Sequence, residues 1–373
     1  MSESTTGRDF IQRHGDNGRI EVGVGHFFKA LKSARRTANL ASVNALVEPI
    51  VKGCCDDPLA AIPELGGFAL YAGDGHFHKG AVHDAGHTSA EGVGRKPATG
   101  HFFMLNLRTH HMSHLGTADV SGARKGEHDM HAIKNAAVED LRGGEPKGTK
   151  VILVWDKAGI DFKFWHKVKM GHGLYFISRE KGNMKLVHRG DRDWDRADGR
   201  NSGVMADEEV TPAGGGATFR RITYLDPETG TVFKFITTEM TLPPGIICLL
   251  YKQRWDIEKV YDEFKNKMDE RKSWGSGDGS KTAHALFLCL AHNLMVILES
   301  LLTAAGVENH KEGERKKVRL TEAKKNGANF VATFVQRYTV RSLKFIRWLR
   351  AFVYRGLRWD KAVARLRKIY ATF

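Results

Sequence analysis

The segment Lys150-Val151-Ile152-Leu153-Val154-Trp155-Asp156 is the strongest strand signal in the chain, because it contains five consecutive apolar residues. An uninterrupted apolar run of this length predicts a strand that is buried on both faces, as in a parallel sheet. Asp156 follows the run directly, and the carboxyl ends of strands in an open α/β sheet border the crevice where ligands bind. The segment therefore predicts a central strand that ends in a candidate functional carboxylate.

The elements around this strand predict an α/β arrangement. Residues 67–72 and 101–107 predict two strands, and residues 131–142 predict a helix before the central strand. After it, residues 162–170 predict a helix and residues 174–178 a further strand. This order predicts a sheet with at least four strands and helices packed against it.

The flanking regions differ in character from this core. Residues 19–65 show helical spacing of apolar side chains, and residues 179–245 contain many Gly and Asp and short alternating runs, which predict a β-rich insertion. From residue 246 the pattern is helical almost to the end. The apolar stretch 283–305 is interrupted by two His, an Asn and a Glu, so it predicts a buried core helix and not a membrane span.

Asp74 is a second carboxylate that follows a predicted strand, since it comes just after Leu70-Tyr71-Ala72-Gly73. A plain turn through Gly73-Asp74-Gly75 is an equally good interpretation of that position taken alone. Asp74 and Asp156 together predict two carboxylates at one edge of the sheet.

The segment LYKQRWDIEKVYDEFK (residues 250–265) predicts a helix with two different faces. At about 100° per residue, the side chains of Tyr251, Arg254, Glu258 and Lys265 fall within a stripe of about 60°. The opposite face is apolar and comprises Ile257, Val260, Phe264 and Met268. Such a helix packs by one side and offers one carboxylate and two cations from the other, although an exposed helix with salt bridges would give a similar pattern.

These residue types suit phosphodiester cleavage. Two divalent cations can activate the attacking oxygen and stabilise the leaving oxygen, and hard cations take carboxylate ligands. Asp74, Asp156 and Glu258 could hold two such ions. Arg254 and Lys265 are placed to neutralise phosphates beside them, and Tyr251 can form hydrogen bonds or stack there.

The spacing Tyr251-x2-Arg254-x3-Glu258-x6-Lys265 resembles the Y-R-E-K signature of bacterial DDE transposases of the insertion-sequence-four class. The resemblance covers about residues 66–300. It implies an RNase H-like α/β catalytic core, with the β-rich insertion at about 179–245 between the second and third acids. It also implies a triad of Asp74, Asp156 and Glu258 that binds two Mg²⁺ ions, for which Mn²⁺ can substitute.

Two segments depart from the family pattern. Asp156 is followed by Lys-Ala-Gly where Arg-Gly is usual, which leaves Asp161 as an alternative second acid. Asp74 is followed by Gly75-His76 where a small hydroxyl residue is common at the second position, which leaves Asp84 as an alternative first acid.

Positive charge is concentrated at the C-terminus. The chain carries 58 Lys+Arg and 43 Asp+Glu, for a net charge of +15, and residues 311–373 account for nearly all of it. Basic helices with aromatic residues favour contact with nucleic-acid phosphates over the alternative of a solvated helical face. Arg347, Arg355 and Arg358 are therefore candidate DNA-binding residues.

Many of the 18 histidines fall between His76 and His131. Imidazoles bind zinc readily, but no cysteine lies nearby in sequence and no H-E-x-x-H occurs. Contacts with DNA phosphates, or simple loop polarity, are favoured over a zinc site, and His76 or His78 is expected to border the catalytic cations.

The four cysteines cannot form a disulfide framework or a paired CxxC zinc site, and the polar N-terminus lacks a signal-peptide pattern, so a cytoplasmic, nucleoid-associated protein is expected. The predicted organisation is an N-terminal helical region (1–65) that could bind the element's ends, a catalytic domain (66–300) and a basic helical region (301–373). No membrane partner is expected.

The function implied by the resemblance is cut-and-paste transposition of an insertion sequence, with terminal inverted repeats and target DNA as partners. This function is compatible with self-association of the protein in a synaptic complex. The alternatives are a metal-dependent nuclease on the same fold and a non-catalytic DNA-binding derivative of a transposase. The three intact acids argue against the second alternative.

Overall fold

A computed structural model describes residues 7–78, 99–117, 128–268, 273–307, 309–325, 327–334 and 341–371. The first part is helical, with α1 (Gly7–Asp16), α2 (Val24–Leu31) and α3 (Ala34–Cys54), followed by short 3₁₀ turns at Pro58–Ala61 and Pro63–Leu65. Ser33 caps α3, because its side-chain oxygen accepts a hydrogen bond from the backbone N–H of Arg36. These elements precede the sheet.

The central part of the chain alternates strands and helices. Its elements are β1 (Phe68–His78), β2 (Thr99–Asn106), β3 (Met112–Thr117), α4 (His128–Asn135), α5 (Val138–Leu141), β4 (Lys150–Val154), α6 (Phe162–His172) and β5 (Leu174–Arg179). Four further strands follow: β6 (Leu186–Asp191), β7 (Val204–Pro212), β8 (Phe219–Leu225) and β9 (Val232–Thr237). The remaining described elements are α7 (Pro244–Gln253), α8 (Trp255–Asn266), α9 (Asp278–Ala304), α10 (His310–Lys325), α11 (Phe330–Thr333), α12 (Leu343–Arg355) and α13 (Trp359–Ala371).

The nine described strands form one mixed sheet in the order β3-β2-β1-β4-β5-β9-β8-β7-β6. β1 pairs antiparallel with β2, and β2 with β3, whereas β1, β4 and β5 are parallel to one another. From β5 onwards every pairing is antiparallel. The β-rich segment therefore extends the same sheet, and β8 and β9 form an antiparallel hairpin within it.

Both faces of the sheet are covered, so the protein has a mixed α/β architecture. Along β1, Leu70 and Ala72 point into a core shared with α7, α8 and α9, while Ala69 and Tyr71 point into a core shared with α4 and α6. A strand buried on both faces must be apolar at successive positions, which explains the uninterrupted run in β4.

Several element boundaries differ from the sequence-based expectation. β1 continues to His78, so Asp74 lies within this strand and not in a turn after it, because antiparallel pairing with β2 continues to His78. The predicted helix at 131–142 is two short helices, α4 and α5. β3 was not predicted, since its sequence MSHLGT lacks a clear alternation of apolar and polar residues.

α9 is long and apolar enough to cross a membrane by length and composition, the one such helix in the described part of the chain. Half of its most apolar window is buried within the fold. Asn293 in this helix is fully buried and donates hydrogen bonds to the Met112 carbonyl and to the side chain of Asn44. These contacts are those of a core helix, as the sequence predicted.

The last helices form a separate apolar cluster on the C-terminal half of α9. Phe345 and Trp348 of α12 and Leu366 of α13 pack against Met295 and Leu302 of α9. The indole N–H of Trp348 donates a hydrogen bond to the carbonyl of Ala362, which joins α12 to α13. The basic segment is thus anchored to the helix that covers the sheet.

Candidate active site

Asp74 and Asp156 lie on neighbouring parallel strands at matching positions. The last residue pair between β1 and β4 is Ala72 with Val154, and each aspartate lies two residues beyond it. The backbone N–H of Gly75 donates to Asp74 Oδ1 at 2.8 Å, and that of Ala158 donates to Asp156 Oδ1 at 2.6 Å. The two carboxylates therefore share one edge of the sheet, and each accepts a hydrogen bond from the backbone N–H of a residue that follows it.

Glu258 reaches this edge from α8. The predicted apolar face of that helix is confirmed, because Ile257, Val260 and Phe264 are fully buried against the sheet. The predicted continuous helix is wrong in one detail, since it is interrupted at Arg254, which is the C-terminal cap of α7 and the N-terminal cap of α8. Glu258 lies in the first turn of α8, where the helix dipole stabilises a carboxylate.

Arg254 joins two of the three acids. Its Nη2 donates to Glu258 Oε1 at 2.6 Å, and its Nη1 lies 3.4 Å from Asp74 Oδ2. The guanidinium also lies 5.7 Å from the ring centroids of Tyr251 and Trp255. The side chain of Arg254 is only 8% exposed, whereas that of Glu258 is 33% exposed, so Arg254 is buried and its contact with Glu258 lies at the border with solvent.

Burial raises the pKa of Asp74 to about 7, and the positive charge of Arg254 only partly opposes this rise. The negative charges of Asp156 and Glu258 raise the pKa of Asp74 further, so both carboxylates lie close enough to Asp74 to repel it. A bound cation would offset this repulsion and stabilise the ionised form of Asp74. The donor set therefore fits a hard divalent ion.

Tyr261 lies on α8, the helix that carries Glu258, and contacts Asp74. Its hydroxyl donates to the Asp74 carbonyl at 2.9 Å, and its ring stacks on His76 with a centroid separation of 4.7 Å. Sequence reasoning did not identify Tyr261, although it lies one helical turn after Glu258 and that spacing was the available signal.

The other two residues of the predicted stripe differ in environment. Tyr251 packs on Phe235 of β9, with ring centroids 4.8 Å apart, and its pKa is raised by burial. Lys265 is exposed, two turns beyond Glu258. Tyr251 thus lines the site, whereas Lys265 is free to reach outward.

Of the two alternative acids, Asp161 and Asp84, the structure describes Asp161. Asp161 caps α6, accepting a hydrogen bond from Phe164 N at 2.9 Å, and it pairs with Lys134 at 2.5 Å. Its carboxylate is engaged in helix capping rather than in the cluster around Arg254. Asp84 lies outside the described residues.

The histidines form a buried cluster behind the site. Ring centroids of His78 lie 5.0 Å from His76, 4.5 Å from His101 and 5.1 Å from His284 of α9, and His101 Nδ1 lies 3.2 Å from His114 Nε2. Burial lowers the pKa of His101 to about 2, of His114 to about 4 and of His284 to about 3. These rings are therefore neutral at physiological pH, and His284 was not anticipated because it is distant in sequence.

Among the described residues, one group brings three potential metal-ligating atoms within 4.8 Å of one another, and it comprises His188, Asp191 and Glu208. It lies on the outer strands β6 and β7 and includes neither the triad nor the buried histidines. Glu208 is also held by two hydrogen bonds from the guanidinium of Arg221, at 2.9 and 3.0 Å. Its carboxylate is thus already neutralised.

The candidate DNA-binding residues of the C-terminal segment are exposed. Arg347 and Arg355 lie on α12, and Arg358 lies in the turn before α13. Not every cation of this segment is available, because Arg341 is buried and pairs with Glu263 and Glu299. The surface charge is therefore smaller than the sequence count indicates.

A family model and a solved structure identify proteins to which this chain is similar. The family model described as the transposase DDE domain matches residues 75–294, more than half of the chain, and the match includes Asp156 and Glu258 and begins directly after Asp74. No protein with curated annotation shows significant sequence similarity to this chain.

Among solved structures, the chain is similar to a piggyBac transposase studied by cryo-electron microscopy in a synaptic complex with hairpin DNA. The TM-score is 0.40 at 10% identity, and the match covers 80% of this chain and 54% of that one, so this chain spans about half the length of that protein. From the family match, this chain belongs to the family of proteins with a transposase DDE domain.

Proposed function

We propose that this protein is a cut-and-paste DNA transposase of the insertion-sequence-four class, with Asp74, Asp156 and Glu258 as its catalytic acids. The observation that carries the proposal is the contact of Arg254 with both Glu258 and Asp74, beside the aligned position of Asp156. Family membership supports transposition as the general function.

The topology supports an RNase H-like catalytic core. Strands β3, β2 and β1 are antiparallel, while β4 and β5 run parallel to β1, and the acids come from β1, the end of β4 and a helix on one face. The antiparallel extension β6–β9 stands in sequence between Asp156 and Glu258, as in transposases with an insertion before the third acid. These features make residues 66–300 the proposed catalytic domain.

Two Mg²⁺ ions, or Mn²⁺ in their place, would supply activation of the attacking oxygen and stabilisation of the leaving oxygen. Asp74, Asp156 and Glu258 would hold them. In that state Arg254 is released from the carboxylates, and together with Tyr251 and Lys265 it binds the DNA backbone. Planar guanidinium groups suit this role because they bind phosphate through two hydrogen bonds.

The proposed reaction begins with attack of water on the phosphodiester at the element end, which releases a 3′-hydroxyl. That hydroxyl attacks the opposite strand and forms a hairpin, and a second water molecule reopens the hairpin before insertion into the target. Residues 1–65 are proposed to contact the terminal repeats, and residues 301–373 to bind DNA without sequence preference. This places the protein at the nucleoid.

The test is strand cleavage by the full chain on a DNA fragment that carries the gene with its native flanks, in Mg²⁺ or Mn²⁺. Cleavage at both ends with hairpin products is expected. The variant Glu258→Gln should lose cleavage by orders of magnitude and retain DNA binding, whereas Glu139→Gln, an exposed acid on α5, should behave as the wild type. Cleavage without hairpins or strand transfer would favour the nuclease alternative, and binding without cleavage the non-catalytic one.

A further inference from the structure

A fourth carboxylate, Asp129, approaches the site from the opposite face of the sheet. It lies in the first turn of α4, and burial raises its pKa to about 6, with Asp156 as the next cause. α4 contacts the turn Lys157–Gly159 directly after Asp156, which places Asp129 beside the carboxyl end of β4. Neither the position of Asp129 in the sequence nor its neighbours suggested this, because it follows no strand and lies in no acidic motif.

Two glycines allow α4 to approach this edge closely. A Cβ atom on Gly75 would lie 3.2 Å from Asp129 Oδ1 and 2.9 Å from Phe102 Cε1. A Cβ atom on Gly159 would lie 2.9 Å from Ile133 Cδ1. Ile133 follows Asp129 by four residues, so both side chains lie on one face of α4. That face is therefore seated directly on β1 and on the turn after Asp156.

A buried donor in the same place has no other acceptor. The indole Nε1 of Trp155 is completely buried, and it forms no hydrogen bond of regular geometry within the described residues. This N–H nevertheless lowers the pKa of Asp129, which means that it faces that carboxylate. A donor of this kind can orient a carboxylate towards Asp156 without neutralising it.

The charges of the four acids are unevenly balanced. Arg254 forms ion pairs with two of them, Asp74 and Glu258. For Asp129, the cation that lowers its pKa is Lys181, and this effect is smaller than the opposing effect of Asp156. Asp156 and Asp129 thus form a pair whose negative charge the described side chains do not neutralise, which is the setting in which Mg²⁺ binds through one or two carboxylates and keeps several waters.

We propose that Asp129 is a ligand of a divalent cation, which it holds together with Asp156 on the face of the sheet opposite Glu258. The inference rests on the proposed function, since it assumes that Asp156 binds a catalytic cation. It adds a fourth carboxylate to the triad and assigns α4 a direct part in the site.

The test is Mn²⁺ binding to the full chain without DNA, followed by the electron paramagnetic resonance of free Mn²⁺. Asp129→Asn should weaken binding at one site by about tenfold or more, as loss of a ligand or of its support does. Asp156→Asn should do the same, and Asp140→Asn, an exposed aspartate on α5, should bind as the wild type does. The Asp129→Glu variant should recover part of the affinity lost in Asp129→Asn.

The outcomes separate this inference from the proposed function. Unchanged Mn²⁺ binding in Asp129→Asn, with weakened binding in Asp156→Asn, would overturn the role of Asp129 and leave the triad intact. Unchanged binding in both variants, or no binding by the wild type, would overturn both.

A second measurement uses the wild type and does not depend on the stability of any variant. Fe²⁺ bound in place of Mg²⁺, with ascorbate and hydrogen peroxide, generates hydroxyl radicals that cut the backbone next to the metal. Cuts are expected beside Asp156 and beside Asp129, and excess Mg²⁺ should suppress both. Cutting at Asp156 alone would contradict the inference.

Discussion

The guanidinium of Arg254 donates a 2.6 Å hydrogen bond to the carboxylate of Glu258, in the place where a divalent cation is proposed to bind. The same group lies 3.4 Å from Asp74, so one protein cation partly neutralises two of the three acids. Cation binding and the Arg254 contacts therefore compete for the same oxygens. In the metal-free chain, Arg254 stabilises a cluster of carboxylates that would otherwise repel one another.

The first prediction is that Arg254→Gln tightens Mn²⁺ binding while it weakens DNA cleavage. A hydrogen bond between charged groups contributes about 1.5–3 kcal/mol, so removal of the competing cation should increase Mn²⁺ affinity by roughly tenfold or more. Cleavage should fall because the phosphate loses its guanidinium partner. The measurement is Mn²⁺ titration beside a cleavage assay, with Arg196→Gln, an exposed arginine between β6 and β7, as the control. Weaker Mn²⁺ binding in Arg254→Gln would show that the arginine helps to form the metal site.

The second prediction concerns pH. The pKa of Asp74 in the fold is about 7, above the ordinary value of 3.8 for an aspartate, so the folded metal-free chain binds an extra proton between these pH values. Asp74 therefore contributes more to the free energy of unfolding at low pH, and this contribution is lost as the pH rises towards 7 and above. Asp74→Asn should accordingly stabilise the metal-free protein at pH 8, by on the order of 2–4 kcal/mol.

Urea unfolding at pH 5 and pH 8 measures this effect, with Asp140→Asn as the control. Addition of Mg²⁺ should stabilise the wild type at pH 8 and have much less effect on Asp74→Asn, because the cation replaces the proton. Buried neutral histidines change the stability of both proteins with pH in the opposite direction, so the quantity to compare is the difference between wild type and Asp74→Asn. An equal difference at pH 5 and pH 8 would be inconsistent with a raised Asp74 pKa.

Sequence patterns sufficed where one local feature determines the structure. The apolar run before Asp156 predicts a strand that is buried on both faces. The spacing of Ile257, Val260 and Phe264 predicts which side of α8 faces the core. The placement of Asp74 could not be predicted in the same way, since the length of β1 depends on its pairing with β2, a long-range contact.

Contacts between distant segments account for the residues that were missed. Asp129 approaches Asp156 because Gly75 and Gly159 lack side chains, and His284 joins the histidine cluster from α9. No local periodicity encodes either contact. The burial of Arg341 is of the same kind, because its two partners lie on α8 and α9.

The third prediction is that Tyr261→Phe lowers stability modestly and affects cleavage through the position of Asp74. The substitution removes the 2.9 Å hydrogen bond to the Asp74 carbonyl and keeps the stacking on His76. An unsatisfied buried carbonyl costs about 1–3 kcal/mol. Urea unfolding and cleavage at several Mg²⁺ concentrations measure the two effects, and Tyr354→Phe on the exposed side of α12 is the control. Identical Mg²⁺ dependence in Tyr261→Phe and wild type would limit Tyr261 to a structural role.

The fourth prediction concerns the buried ion pair between Arg341 and Glu263. Arg341 Nη1 donates to Glu263 Oε2 at 2.6 Å, and the backbone N–H of Arg341 donates to the same carboxylate. Arg341→Met should destabilise the protein by about 3–5 kcal/mol, because it removes the guanidinium that lies 2.6 Å from the buried carboxylate of Glu263, and Lys267, at 3.7 Å, does not replace that contact. The double variant Arg341→Met/Glu263→Gln should regain part of this loss in urea unfolding. Additive losses in the double variant would mean that the two side chains are not coupled.

The fifth prediction concerns the exposed cations of the C-terminal segment, and it excludes Arg341 because that side chain is buried. Lys344, Arg347, Arg355 and Arg358 are exposed on α12 and the turn that follows. If each contacts a phosphate, replacing all four with Gln should reduce the slope of log K against log salt by roughly three to four units, through fewer released counterions. Preference for the element's ends should change little, since phosphate contacts position a protein without reading bases.

The matched control replaces four exposed lysines of the loop before β4, of β4 and of α6 with Gln: Lys147, Lys150, Lys163 and Lys167. Both variants lose the same total charge, so a general effect of net charge would change the two slopes equally. A reduced slope in the C-terminal variant alone would locate the phosphate contacts on α12. Equal slopes in that variant and the wild type, with the fold intact by circular dichroism, would instead assign the nonspecific DNA affinity to the catalytic domain or to the N-terminal helices.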